Sequence, residues 1–241
     1  MLPIRDSVHS YTFSVINWLI IALNTVVFLI EINLSPVALN RFIQIFALTP
    51  ANLHLNDPTT LFSNPMLLIP LITHMFLHGG WFHFLSNMWI LFIFGDNVED
   101  RMGSIRYLIF YLAGGVVAGA LQTFVSPFSE IPSLGASGAI ATVLGAYFLL
   151  YPRARVTTLI PMIFVPWFVE IPAVIYLGFW FVSQLFSGIA SLGAANAANM
   201  GGVAWFAHIG GFVFGLLFAR IFIPRRHPAF LRQFPDEYYP W

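Results

Sequence analysis

Gly135-Ala136-Ser137-Gly138-Ala139-Ile140-Ala141-Thr142-Val143-Leu144-Gly145-Ala146-Tyr147-Phe148-Leu149-Leu150-Tyr151 contains no charged side chain and opens on a serine framed by glycines. Far downstream, Ala207-His208-Ile209-Gly210-Gly211 sits in a second apolar segment. Hydrophobic residues make up 59% of the 241-residue chain and charged residues only 8%, against about 25% charged in a soluble domain. Mean hydropathy is +0.82, and phenylalanine alone occurs 26 times. This composition implies a polytopic membrane protein, with residues 1–241 forming a single domain. A net charge of zero gives no electrostatic footing for nucleic acid. The absence of cysteine excludes disulfides, thiolate chemistry and iron–sulfur clusters. Ser137 and His208 are then the first candidates for function, because polar and ionisable residues inside spanning segments are rare and usually functional.

An all-α bundle of six transmembrane helices is expected, at about 14–30, 81–94, 105–124, 137–151, 171–187 and 203–223. The first apolar stretch is too long for a signal-peptide core and no A-x-A pattern follows it, so it reads as a retained helix. An outer loop, 31–70, carries the amphipathic patch Arg41-Phe42-Ile43-Gln44-Ile45-Phe46, suited to lying in the membrane interface. Pro161, Pro166 and Pro172 interrupt the stretch ahead of the fifth helix, which reads as re-entrant or interfacial. A short charged tail, 224–241, closes the chain.

The ten basic residues are all arginines and give an orientation. Arg5, Arg101, Arg106, Arg153, Arg155, Arg220, Arg225, Arg226 and Arg232 fall on one side of a six-helix arrangement, and Arg41 alone on the other. That asymmetry places both termini in the cytoplasm. Ser137 then lies at the outer end of helix four, and His208 about 7–8 Å into helix six from the same face, at 1.5 Å per residue. Asn87 lies at a similar depth in helix two.

Glycines beside Ser137 let the backbone turn tightly and expose the hydroxyl, as in the Gly-x-Ser-x-Gly elbow of soluble hydrolases. A helix N-terminus also aims free N–H groups at a developing oxyanion. Helix capping or small-residue packing is the plainer explanation of the tetrapeptide, and an interhelical hydrogen bond that of the histidine. Two stripes favour chemistry: Ser137, Ala141 and Gly145 on one helix, and Ala207, Gly211 and Gly215 on the other. Small residues at that spacing allow close helix approach in lipid. In His78-Gly79-Gly80-Trp81-Phe82-His83-Phe84-Leu85-Ser86-Asn87, His83 and Asn87 share a helix face, and both can donate to an oxyanion. His78 is expected to fix the preceding loop by hydrogen bonding. No metal is expected at His74, His78 and His83, since no His-Glu-x-x-His pattern exists, and no cofactor is implied. Gly95-Asp96-Asn97-Val98-Glu99-Asp100-Arg101-Met102-Gly103 reads as a structural turn tying helices two and three through Glu99 with Arg101 or Arg106.

Taken in order, His78-x4-His83-x3-Asn87, Glu99-x3-Gly103, Gly135-Ala136-Ser137-Gly138 and Ala207-His208-x2-Gly211 resemble the rhomboid family of intramembrane serine proteases, from about Thr73 to Phe222. The resemblance implies a six-helix rhomboid-like bundle and an endopeptidase that cleaves transmembrane segments of membrane-protein substrates in the lipid bilayer. It makes Ser137 the nucleophile and His208 the base of a dyad, with Asn87, His83 and the Ser137 N–H stabilising the oxyanion. Two positions depart from the family pattern. Ile69-Pro70 stands where many members have Trp-Arg, and Ala141 stands where some have a tyrosine stacked on the histidine. The other readings are an inactive rhomboid-like protein that binds membrane clients, and a small six-helix transporter. The expected location is a prokaryotic cell (inner) membrane.

Overall fold

Aliphatic and aromatic side chains dominate Val15–Asn33, and the run forms helix α1. The computed structural model describes residues 1–53, 64–161, 166–193 and 203–224. The other helices longer than four residues are α2 (Pro36–Phe46), α3 (Trp81–Met102), α4 (Ser104–Val125), α5 (Ser137–Leu150), α6 (Ala173–Gly193) and α7 (Trp205–Phe222). The expected tail beyond position 224, residues 194–202 and part of the outer loop lie outside the described residues.

Four described helices are long and apolar enough to cross a membrane: Val15–Asn33, Ser104–Val125, Ala173–Leu192 and Trp205–Phe222. A fifth span is reached if Pro65–Phe76 and Trp81–Met102, which meet at an 80° bend, count as one. Ser137–Leu150 is shorter, 14 residues or about 21 Å. It is nevertheless the centre of the molecule. Every residue from Gly138 to Tyr147 is buried, as expected of a helix that is apolar all round. Helices α3, α4 and α7 surround it, α1 packs on α3, and α6 packs mainly on α7. The outward faces carry large apolar side chains such as Phe82, Ile105, Phe124, Phe179 and Ile221, which suit lipid.

Helix α3 runs on to Met102 rather than ending near Phe94. Its buried residues Phe84, Met88, Leu91, Gly95, Val98 and Met102 keep a helical spacing through the charged stretch. The charges there are used locally. Asp96 accepts from the Ser10 hydroxyl at 3.3 Å and Asp100 from the Thr12 N–H at 2.9 Å. Glu99 accepts from the N–H groups of Ile16 (3.0 Å) and Asn17 (2.7 Å) and from the Ser104 hydroxyl (2.6 Å). It thus caps α1 and ties three helices. The turn itself is Gly103, whose φ of +82° suits glycine.

The described chain is not purely α-helical. Leu2–Asp6 (β1), Arg155–Ile160 (β2) and Trp167–Pro172 (β3) form an antiparallel sheet in the order β1-β2-β3. Leu2 pairs with Leu159 and Asp6 with Val156, while Arg155 pairs with Pro172 and Ile160 with Trp167. Among the described residues, the proline-interrupted stretch is therefore largely strand rather than helix. Val156-Thr157-Thr158-Leu159-Ile160 is rich in β-branched residues, which fit a pleated surface. Pro172 ends β3, and α6 starts at the next residue. The sheet holds the N-terminal segment against the ends of α3 and α5. The Tyr147 hydroxyl donates to Asp6, as does the Asn97 amide at 2.7 Å.

Candidate active site

Ser137 is the first residue of α5 and follows a tight turn. Gly135 has φ +124°, and a side chain there would also strike the His83 ring, so only glycine fits. The Gly135 N–H donates to the His74 carbonyl at 2.9 Å, and Leu48 and Ser133 exchange two backbone hydrogen bonds of 3.0 and 2.8 Å. The loop that presents Ser137 is thereby fixed to the outer connection. That connection is held in turn by the Thr73 hydroxyl, which donates to the Phe46 carbonyl at 2.7 Å.

His208 is the fourth residue of α7, and its Nε2 lies 2.8 Å from Ser137 Oγ. Their helices approach so closely that the small residues are obligatory. A methyl group on Gly211 would collide with the Gly138 carbonyl, one on Gly215 with the Thr142 carbonyl, and one on Gly145 with the Phe212 carbonyl. The two expected stripes interlock, with Gly138 rather than Ser137 at the crossing. Gln122 of α4 accepts the Ala207 N–H at 3.3 Å and fastens the start of α7.

Two further side chains hold the imidazole, and both come from α6. Gln184 Oε1 lies 2.8 Å from His208 Nδ1, and the Trp180 ring lies 5.9 Å from the imidazole at a 35° tilt. Trp205 meets it edge-on at 6.1 Å. Sequence reasoning missed Gln184 and Trp180. The available signal was a lone amide in an apolar span, four residues from a tryptophan on the same helix face.

His83 and Asn87 both face Gly135, two residues before Ser137. The His83 ring packs against Gly135, and its Nδ1 accepts the Gly79 N–H at 3.4 Å. Asn87 is buried, and its Nδ2 points toward Gly135 without a hydrogen-bond partner among the described residues. Ser137 opens its helix, so its N–H has no intrahelical acceptor. His78 secures the neighbouring loop through its main chain: its N–H donates to the Glu31 carboxylate at 3.0 Å, while its ring meets His83 at 5.1 Å. Among the described residues, no three His, Cys, Asp or Glu side chains are grouped to hold a metal.

A polytopic helical membrane protein with a hydrogen-bonded serine–histidine pair at two helix starts defines a narrow class. The rhomboid-domain family model matches residues 66–225, and the chain belongs to the rhomboid family. It is 36% identical over 115 residues to the presenilin-associated rhomboid-like protein, mitochondrial, of Bos taurus; the match covers 44% of this chain and 28% of that protein. It is 47% identical over 81 residues to rhomboid protease GluP of Bacillus subtilis (strain 168), covering 34% of this chain and 15% of that protein. The putative rhomboid protease YdcA of the same organism is 35% identical over 80 residues, covering 33% of this chain and 40% of that protein. Each match thus spans less than half of the relative's length.

Proposed function

We propose that the protein is an intramembrane serine endopeptidase that cleaves transmembrane segments of membrane-protein substrates. The 2.8 Å approach of His208 Nε2 to Ser137 Oγ carries this reading. It lies within the reach a general base needs. Names of two Bacillus subtilis relatives include the word protease, which supports the same class.

In the proposed reaction His208 Nε2 takes the Ser137 proton as Oγ attacks the scissile carbonyl carbon. The electron pair moves to the carbonyl oxygen, which the Ser137 N–H, Asn87 and His83 stabilise. His208 then protonates the leaving amine as the C–N bond breaks. Water attacks the acyl-serine ester, gives its proton to His208, and Oγ leaves and is reprotonated. The unpartnered Asn87 Nδ2 supports its assignment as a donor.

The chain is proposed as one domain with six spans and both termini cytoplasmic. For six spans, Ser137–Leu150 and the bent pair must each count as one. The nine-to-one arginine distribution supports the sidedness. The proposed location is a prokaryotic cell (inner) membrane. Bacterial relatives favour it, and cell fractionation against the mitochondrial alternative tests it. For the catalytic reading, a fluorophosphonate should label Ser137 in wild-type protein and lose most of its rate in His208→Ala. Labelling of Ser137 that is unchanged by His208→Ala would contradict the dyad.

A further inference from the structure

His208 has two ring nitrogens, and only one tautomer makes it a base toward Ser137. If Nδ1 carries the proton, Nε2 presents its lone pair to the hydroxyl. If Nε2 carries it, the ring can only donate there and cannot take the serine proton. Nothing on α5 or α7 themselves selects between the two. The selection lies on α6.

The Gln184 amide is anchored at its nitrogen end. Nε2 donates to the Ser183 hydroxyl at 3.0 Å and to the Trp180 carbonyl at 3.3 Å. The Ser183 hydroxyl has its own proton committed to that same carbonyl at 2.6 Å, so it receives from Gln184 as an acceptor. Rotating the amide by half a turn would set Oε1 against the Trp180 carbonyl, two acceptors face to face. The orientation with Oε1 toward His208 is therefore fixed by its neighbours. An amide oxygen only accepts, so the 2.8 Å contact requires the proton on His208 Nδ1. Gln184 is buried, which keeps water from replacing this bond. Trp180, one turn earlier on α6, packs against the same ring.

We infer that Gln184 is the positioning residue of this site, holding His208 in its Nδ1–H tautomer with the Nε2 lone pair aimed at Ser137 Oγ. This rests on the serine–histidine reading above. The group is then a serine, a histidine and an amide rather than a bare pair. It also answers the absence of a tyrosine at Ala141, since α6 supplies both the acceptor and the aromatic face. Because the acceptor is neutral, it sets the tautomer without placing a buried charge beside the ring.

The test uses full-length protein in lipid nanodiscs and a cleavable transmembrane substrate. Gln184→Met keeps the length and removes the acceptor; kcat should fall about a hundredfold with KM changed by no more than about twofold. Nitrogen-15 spectra of histidine-labelled protein, with His208 assigned by its loss in His208→Asn, should report the Nδ1 proton in wild type. In Gln184→Met the proton should move in part to Nε2. Gln184→Glu, neutral in this buried place, keeps an acceptor oxygen toward His208 while its O–H replaces the amide donor to the Trp180 carbonyl, and should keep both the tautomer and a rate within about tenfold of wild type. Unchanged kcat and tautomer in Gln184→Met would overturn the inference, as would a Gln184→Glu protein as slow as Gln184→Met. Either result, with Ser137→Ala inactive, leaves the protease reading standing. Full cleavage by Ser137→Ala removes the serine–histidine reading itself.

Discussion

At the scale of single residues, Ser137, His208, Asn87 and His83 were legible because the motifs that carry them are short and ordered, and each residue is polar in an apolar setting. Asn87 is the strongest test among the proposed oxyanion donors, since its buried Nδ2 has no described partner. Asn87→Ala should lower kcat by about 10²–10³-fold with little change in KM, read by substrate cleavage kinetics. Unaltered kcat would remove it from the oxyanion site. Gln184 was not legible as a partner of His208. A glutamine in a spanning helix can face lipid, another helix or itself, and only the packing of α6 on α7 decides. Asp6 was missed for a similar reason: nothing local marks it as half-buried against Asn97 and Tyr147. Burial raises its carboxyl from the ordinary 3.8 to about 7, with Asp96 adding to the rise, against hydrogen bonds that lower it. The folded protein then holds this proton through a range where the unfolded chain has lost it. Stability should fall as pH rises from about 4 to about 7 and level off above, by a few kcal/mol at most. Asp6→Asn should flatten that slope in thermal unfolding curves measured across pH; a slope unchanged by the substitution would exclude Asp6 as its source.

At the scale of elements, the sequence foretold the long helices well because sustained apolar runs have few alternatives. It foretold their ends less well. Helix α3 continued through a charged stretch because the N-terminal segment supplies partners for Asp96, Glu99 and Asp100, and those partners are more than 80 residues away in sequence. The β2–β3 hairpin was obscured by its prolines. In a membrane chain they suggest a broken helix, whereas here Pro161 and Pro166 lie just outside the strands and Pro172 closes one. The small-residue stripes were read correctly as a packing device, and their consequence is measurable. Gly211→Val would force a side chain into the Gly138 carbonyl and the Ala141 methyl. It should destabilise the fold by about 1–3 kcal/mol or more and separate His208 from Ser137. Thermal unfolding and fluorophosphonate labelling should therefore fall together. Wild-type values in both would mean that α5 and α7 do not approach as described.

At the scale of the whole molecule, the sheet adds an argument about sidedness that the arginines alone could not. β1 pairs with β2, so the N-terminal strand and the α5–α6 connection share one end of the helical layer. Ser137 lies at the opposite end of α5. The natural chain has no cysteine, so single cysteines report position cleanly. His9→Cys should resist a membrane-impermeant maleimide in intact cells, while Glu130→Cys should react; the reverse pattern would invert the proposed topology. In the proposed reaction this rhomboid-family chain cuts peptide bonds with Ser137. The most direct measurement is cleavage of a panel of transmembrane substrates by purified protein in nanodiscs, with Ser137→Ala matched for folding by thermal unfolding. Defined products are expected from the wild-type protein and none from Ser137→Ala. Equal cleavage by both, or none by the wild type on any substrate while Ser137 stays unreactive to fluorophosphonate, would contradict it.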